Sequence, residues 1–281
     1  MRRVIALDIG GTQSRAALLD SGRIVWRAST STPAQAGPDA MVAAMCELLK
    51  PLHEPGVPVG VAIAGQVVDG AVTAHNDSLL RGWRAYPLQQ VLAQRLARPV
   101  RVVNDARAAA WGEFLSGAGR GCDEFLFVTV STGIGAGLVL NRRLHLARNG
   151  MDAELGETLL PDGRSLESLA SGSALGRAAA ALGHRDARGL CDAADAGDAA
   201  AEAALAEGMV ALAAKLADLA VMVGVQRTAV GGGVGLRPGY LARLTAQIER
   251  LPALHRHPLV PAELGHDAGL HGAAALAAEA R

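Results

Sequence analysis

The sequence predicts an α/β protein built as two related lobes, and three observations carry that prediction. Short apolar strands alternate with helices of 3.6-residue periodicity along the whole chain. A three-strand meander with a glycine turn after its first strand opens the chain, and a similar pattern starts again past residue 105. At 281 residues the chain is long enough for one two-lobed unit or two compact domains, each with a buried core. The expected division is a small lobe at 1–103, on which a C-terminal helix at 267–281 packs back, and a large lobe at 104–266.

The elements follow in order. Arg3 to Ile9, Ser14 to Asp20 and Arg23 to Arg27 read as strands, separated by Gly10-Gly11-Thr12 and by Ser21-Gly22. Pro38 to Lys50 reads as a helix, with Met41, Met45, Leu48 and Leu49 at helical spacing and Pro51 as the stop. Val59 to Ala64 is a buried strand. A helix carrying Leu88, Val91, Leu92 and Leu96 leads into the strand Pro99 to Val103, so the first lobe reads βββαβαβ. Helix Ala106 to Leu115 then leads to strands Phe125 to Val130, Gly135 to Asn141 and Arg143 to Leu146. Helices near Ser168 to Leu182 and Ala199 to Met222, strand Arg227 to Val230, helix Gly239 to Leu251, strand Pro258 to Val260 and helix Ala268 to Ala280 complete the chain.

Composition narrows the function classes. Twenty-seven basic residues balance 27 acidic ones with no concentrated Lys/Arg stripe, so the electrostatic footprint of a nucleic-acid binder is missing and a neutral small molecule fits better. No run of about 18 apolar residues occurs, and Asp8 cuts the first apolar run short of a signal-peptide core, so a soluble cytoplasmic protein is expected. Cys46, Cys122 and Cys191 are odd in number and far apart, which suits reduced thiols. The eight histidines show no metal-ligand spacing.

Three glycine loops each follow a strand. In Asp8-Ile9-Gly10-Gly11-Thr12 two glycines let the backbone approach a bulky anion, the Thr12 hydroxyl can bond a phosphate and Asp8 can help hold Mg²⁺; taken alone, an ordinary hairpin turn is the commoner use of Gly-Gly between strands. Ser131-Thr132-Gly133-Ile134-Gly135-Ala136-Gly137 is the better phosphate cradle, with three glycines at alternate positions and two hydroxyls. A strand rather than a helix follows it, so the dinucleotide fingerprint fails, and no P-loop pattern occurs anywhere. Gly231-Gly232-Gly233-Val234-Gly235 joins a strand to a helix, where adenosine and α-phosphate can lie against bare backbone. Together the loops point to a nucleotide held between two lobes. Asn104-Asp105 ends a strand and begins a helix. On spacing alone Asp105 is a helix cap, whereas in phosphoryl transfer to an alcohol a carboxylate so placed accepts the hydroxyl proton. Glu154 and Glu167 flank a turn-rich segment and read either as solvated surface or as acceptors for sugar hydroxyls.

Asp8-Ile9-Gly10-Gly11-Thr12, Asn104-Asp105-Ala106-Arg107-Ala108-Ala109, Ser131 to Gly137, Ala153-Glu154-Leu155-Gly156 and Glu167-Ser168-Leu169-Ala170-Ser171-Gly172 together resemble the ROK family of sugar kinases and repressors, in order and over nearly the whole chain. The resemblance implies an actin/hexokinase-like (ribonuclease H-like) ATPase fold, usually dimeric, with sugar and MgATP in an interlobe cleft. It implies Asp105 as general base on the sugar 6-hydroxyl, Asn104 and Asn76 as sugar contacts, and Glu154 and Glu167 as partners of hydroxyls near the anomeric end. Asp8, Gly10, Gly11, Thr12, Thr132, Gly133, Gly135, Gly232 and Gly233 are the expected nucleotide contacts, with Mg²⁺ near Asp8. A closer likeness within the family, in Ala110-Trp111-Gly112-Glu113-Phe114, Val230 to Leu236 and His266-Asp267-Ala268-Gly269, implies N-acetylmannosamine as the sugar and a place in amino-sugar (sialic acid) breakdown. Other amino-sugar or glucose kinases, or a non-catalytic sugar sensor, are the alternatives. Family repressors carry a helix-turn-helix ahead of the first strand; this chain opens on that strand, so no DNA binding is expected. The family commonly bears E-x-G-H and a cysteine-rich zinc segment. Here Glu157 stands in place of the histidine and no cysteine lies between Glu154 and Glu167, so structural zinc is expected to be absent.

Overall fold

The structure, a computed structural model, describes residues 3–74 and 80–279. Its contacts divide the chain into two compact units. One takes in the chain to Gly112, the segment Leu146–Asp152 and the chain from Asp267; the other takes in Glu113–His145 and Ala153–His266. This differs from a division at 103/104 in where the first two-thirds of the helix Asp105–Ser116 and the segment Leu146–Asp152 fall.

The first unit is a five-stranded sheet with helices on both faces. β1 (Val4–Ile9), β2 (Gln13–Asp20) and β3 (Arg23–Ser31) form the antiparallel meander; α1 (Pro38–Leu49) follows, then β4 (Val59–Ile63), a small hairpin of β5 (Gln66–Val68) and β6 (Ala71–Thr73), α2 (Leu88–Leu96), β7 (Val100–Asn104) and α3 (Asp105–Ser116). The strand order is β3-β2-β1-β4-β7, with β1, β4 and β7 parallel. Alternate side chains point to opposite faces of a strand. Ile5, Leu7 and Ile9 therefore pack with Met41, Met45, Leu88 and Leu92 on one face, while Val4 and Ala6 meet Leu270, Ala274 and Ala277 on the other. The hairpin has no counterpart among the expected elements. Its signal is Asp69-Gly70 between short apolar runs, where positive φ at both residues suits the tight turn that continues the strand twist.

The second unit repeats the strand order and directions of the first. β8 (Phe125–Val130), β9 (Ile134–Leu140) and β10 (Arg143–Leu144) are antiparallel, and β8 continues in parallel through β11 (Arg227–Gly231) and β12 (Leu259–Pro261) in the order β10-β9-β8-β11-β12. α4 (Leu166–Ala170), α5 (Gly172–Ala181), α6 (Ala187–Asp195), α7 (Ala199–Val223), β11 (Arg227–Gly231), α8 (Gly232–Gly235), α9 (Pro238–Glu249) and β12 (Leu259–Pro261) fill out this unit, and α10 (Ala268–Glu279) belongs to the first. Leu126, Val128 and Val130 pack with Leu205, Leu212 and Leu216 of α7 and with Tyr240, Leu244 and Ile248 of α9. The single helix expected near 168–182 is two helices. Ser171 takes an extended conformation and its Oγ caps α5 by accepting from Ala174 N at 3.2 Å. α6 escapes the sequence pattern because only Leu190, Cys191 and Ala194 are buried on it; Asp186 caps it, accepting from Gly189 N at 2.9 Å. No helix of the described residues is long and apolar enough to cross a membrane, and the three cysteines are free.

Candidate active site

In the first unit the expected residues gather at the C-terminal ends of three neighbouring parallel strands, because the register aligns Ile9 with Ile63 and Ile63 with Asn104. Gly10-Gly11-Thr12 closes the β1–β2 turn. Gly10 N–H donates to Gln13 O at 3.1 Å, and Gly11 and Thr12 lie exposed. Asp8 is directly opposite Arg15 in the antiparallel pairing, and the two form an ion pair. Arg15 is a residue the motif reading passed over, although its place seven residues on, across a hairpin turn, marks it as the cross-strand partner.

Asp105 opens α3, and the structure corrects the reading of it as the cap. The cap is Asn104, whose Oδ1 accepts from Ala106 N at 2.9 Å and Arg107 N at 3.2 Å while its Nδ2 donates to Gly65 O at 3.0 Å. Asp105 Oδ1 takes a further bond from Ala106 N at 2.8 Å. The Asp105 carboxyl is pushed up to about 6, first by burial and then by the charge of Asp8; the Ala106 N–H and the Arg107 guanidinium oppose the rise. Two carboxylates that repel one another, at the ends of β1 and β7 on either side of β4, are hard oxygen donors of the kind Mg²⁺ takes. Among the described residues no group of three or more His, Cys, Asp or Glu side chains gathers as a metal site. Asn76 lies outside the described residues.

In the second unit two of the glycine loops meet. Gly232 has φ +87°, and a Cβ there would lie 2.3 Å from Val130 O and 2.7 Å from Thr129 Oγ1, so bare backbone of the 231–235 loop rests on the end of β8. Gly172 N–H donates to Ser131 O at 2.7 Å and Ser173 N–H to Thr132 O at 3.0 Å, which fixes the 131–137 loop against the start of α5. Nothing lies within 4 Å of a Cβ built on Gly233. The result is a backbone-lined surface outside the carboxyl ends of β8 and β11, the place where parallel α/β sheets take their ligands.

Glu167 stands at the same loop. Its Oε2 accepts from Ile134 N at 2.7 Å, a Cβ on Gly133 would lie 2.4 Å from that oxygen, and Oε1 takes no hydrogen bond from any described residue. Gly156 comes equally close, its absent Cβ 2.5 Å from Ile134 O, so the Ala153-Glu154-Leu155-Gly156 segment packs on the start of β9. Glu154 precedes a short 3₁₀ turn, Leu155–Glu157, and is partly buried, whereas Glu157 is exposed. Residues 158–165 close on themselves. Leu160 N–H donates to Arg164 O at 2.8 Å and Leu166 N–H to Thr158 O at 2.9 Å, with Arg164 paired to Asp162 and to Glu207 of α7.

A sequence model of the ROK family matches residues 4–280. Over 98% of its length the chain is 39% identical to the bifunctional enzyme NanE/NanK of Brucella melitensis, of which it covers 54%, so it spans about half the length of that curated relative. It is 36% identical to the N-acetylmannosamine kinase of Yersinia pseudotuberculosis, covering 98% of each. A ROK family glucokinase from Streptomyces griseus, solved in complex with glucose and AMPPNP, matches with a TM-score of 0.81 at 32% identity over 99% of this chain and 100% of that one.

Proposed function

This chain belongs to the ROK family, and from that premise we propose that it is an ATP-dependent sugar kinase acting on the 6-hydroxyl of N-acetylmannosamine. The observation that carries the reading is Asp105, a partly buried carboxylate at a strand end whose midpoint near 6 leaves it ionised at neutral pH yet basic enough to take a proton. In the reaction the sugar oxygen attacks the γ-phosphorus, the bond from that phosphorus to the β–γ bridging oxygen breaks, ADP leaves, and the hydroxyl proton passes to Asp105. Asn104 and Asn76 contact the sugar, Glu154 accepts a sugar hydroxyl, and the open Oε1 of Glu167 accepts another. Gly10, Gly11, Thr12, Thr132, Gly133, Gly135, Gly232 and Gly233 face the nucleotide, and the exposed Gly11-Thr12 turn and the open backbone at Gly233 suit phosphate. Mg²⁺ accompanying ATP neutralises phosphate charge, and Asp8 is the residue that would hold it. A cytoplasmic homodimer belongs to the same reading.

A coupled ADP-release assay over N-acetylmannosamine, N-acetylglucosamine, glucose, fructose and mannose tests it. The expected result is the highest kcat/KM on N-acetylmannosamine. Preference for glucose would move the assignment toward the glucokinases to which the chain is also similar, and turnover of none of the five would sink the kinase reading.

A further inference from the structure

Arg107 and Asp152 are charged residues buried almost completely, at 2% and 5% exposure, 45 positions apart in the chain and both in the first unit. Asp152 and Asn104 are among the partners of the Arg107 guanidinium. Nε meets Asp152 Oδ2 at 3.1 Å and Nη2 donates to the Asp152 backbone carbonyl, while Nη1 donates to Asn104 Oδ1 at 3.0 Å. That same Oδ1 is the cap of α3, whose first residue is Asp105. Asn104 is therefore gripped at both ends of its amide, by Gly65 O on one side and by the helix start and Arg107 on the other. Burying an ion pair costs more in lost hydration than a well-packed apolar pair of the same volume, so stability does not by itself account for charges here. What an apolar pair cannot supply is a directed donor to Asn104.

We propose that Arg107 and Asp152 form a positioning pair for the Asp105 carboxylate: Asp152 orients the guanidinium, the guanidinium fixes Asn104, and Asn104 fixes the helix turn on which Asp105 sits. The inference rests on the kinase reading for its catalytic consequence but not for its structural one.

The test uses the full chain and four variants: Arg107→Met, Arg107→Lys, Asp152→Leu and the double Arg107→Met/Asp152→Leu. In Arg107→Met, kcat should fall about tenfold or more while KM for ATP stays within about twofold. The amide of Ala106 should exchange with solvent about tenfold faster or more, because its cap is no longer held. The double variant, with no unpaired buried charge, should recover a melting temperature within about 2 °C of the unaltered protein. Its kcat should stay low. Arg107→Lys keeps the charge without the fork and should not restore kcat either, and Asp152→Leu, which leaves the guanidinium unoriented, should lower it in the same sense. Recovery of kcat in the double variant to within about twofold of the unaltered protein would reduce the pair to a structural element, and unchanged Ala106 exchange in Arg107→Met would overturn the proposal. If the unaltered chain phosphorylates no sugar, the kinase reading fails, and amide exchange alone still decides whether the pair holds the cap.

Discussion

At the scale of single residues the site turns on how Asp105 is treated by its surroundings. Its carboxyl is raised to about 6 from an ordinary value near 4, so the folded chain holds this proton more tightly than the unfolded chain. Between pH 4 and 6, therefore, the unfolded state releases the proton first, and this group costs stability increasingly as pH rises, with the full cost present above about 6. Asp105→Asn removes the charge and keeps an acceptor for Ala106 N–H. It should melt higher than the unaltered protein at pH 7, by on the order of 1–3 kcal/mol once partial solvent screening is allowed for, and the gain should vanish below pH 4. Thermal melts of both proteins across that range measure it. The same variant should lose about 10²–10⁴-fold in kcat while still binding sugar, since a general base contributes about that much; calorimetric sugar titration separates the two effects. In the unaltered enzyme kcat should fall as pH drops through about 6, where the base becomes protonated. The Asn104-Asp105 pair was legible from its place between a strand and a helix, but which of the two caps the helix was not. Both residue types are good caps, and only the position of Gly65 and Arg107 decides that Asn104 turns its oxygen to the helix.

At the scale of elements the glycine loops do different things at different positions, which predicts different outcomes for the same substitution. The three atoms nearest a methyl on Gly133 would all belong to the carboxylate tip of Glu167, a flexible group that can swing away. Gly133→Ala should thus melt within about 1 kcal/mol of the unaltered protein yet raise the sugar KM about tenfold, because Glu167 loses its seat on Ile134 N–H. A methyl on Gly232 would meet the Val130 carbonyl at 2.3 Å from a backbone with φ +87°. Neither can give way cheaply, so Gly232→Ala should lower stability by about 2–3 kcal/mol and weaken ATP binding. Chemical denaturation and steady-state kinetics on the two variants distinguish these cases; equal destabilisation would contradict the assigned contacts. The loops were legible as glycine punctuation after strands. Their meeting was not, because it depends on β11 lying parallel beside β8, with Val230 opposite Val128.

At the scale of the molecule the C-terminal helix completes the first unit. α10 lies on β4 and α3 so closely that a Cβ on Gly60 would come 1.9 Å from Ala273 O, and one on Gly272 would come 1.7 Å from Ala108 O. Gly272→Val should therefore destabilise by about 3 kcal/mol or more, read as a lower urea midpoint, whereas Glu279→Gln at the exposed end of the same helix should change it by less than about 0.5 kcal/mol. The amino-acid sequence by itself determined the alternation of strands and helices, the doubled meander, the glycine turns and the adjacency of Asn104 and Asp105. Those features arise from side-chain periodicity and turn chemistry, which act over a few neighbouring residues. The Asp8–Arg15 pairing and the Asp69-Gly70 hairpin are local too, whereas only the tertiary structure decided that Asn104 is the cap and that Arg107 finds Asp152 across 45 residues of chain. A charged side chain carries no local sign that it will be buried. Its partner comes from a distant segment, and the cost of taking both charges out of water is met only when the fold brings them into contact.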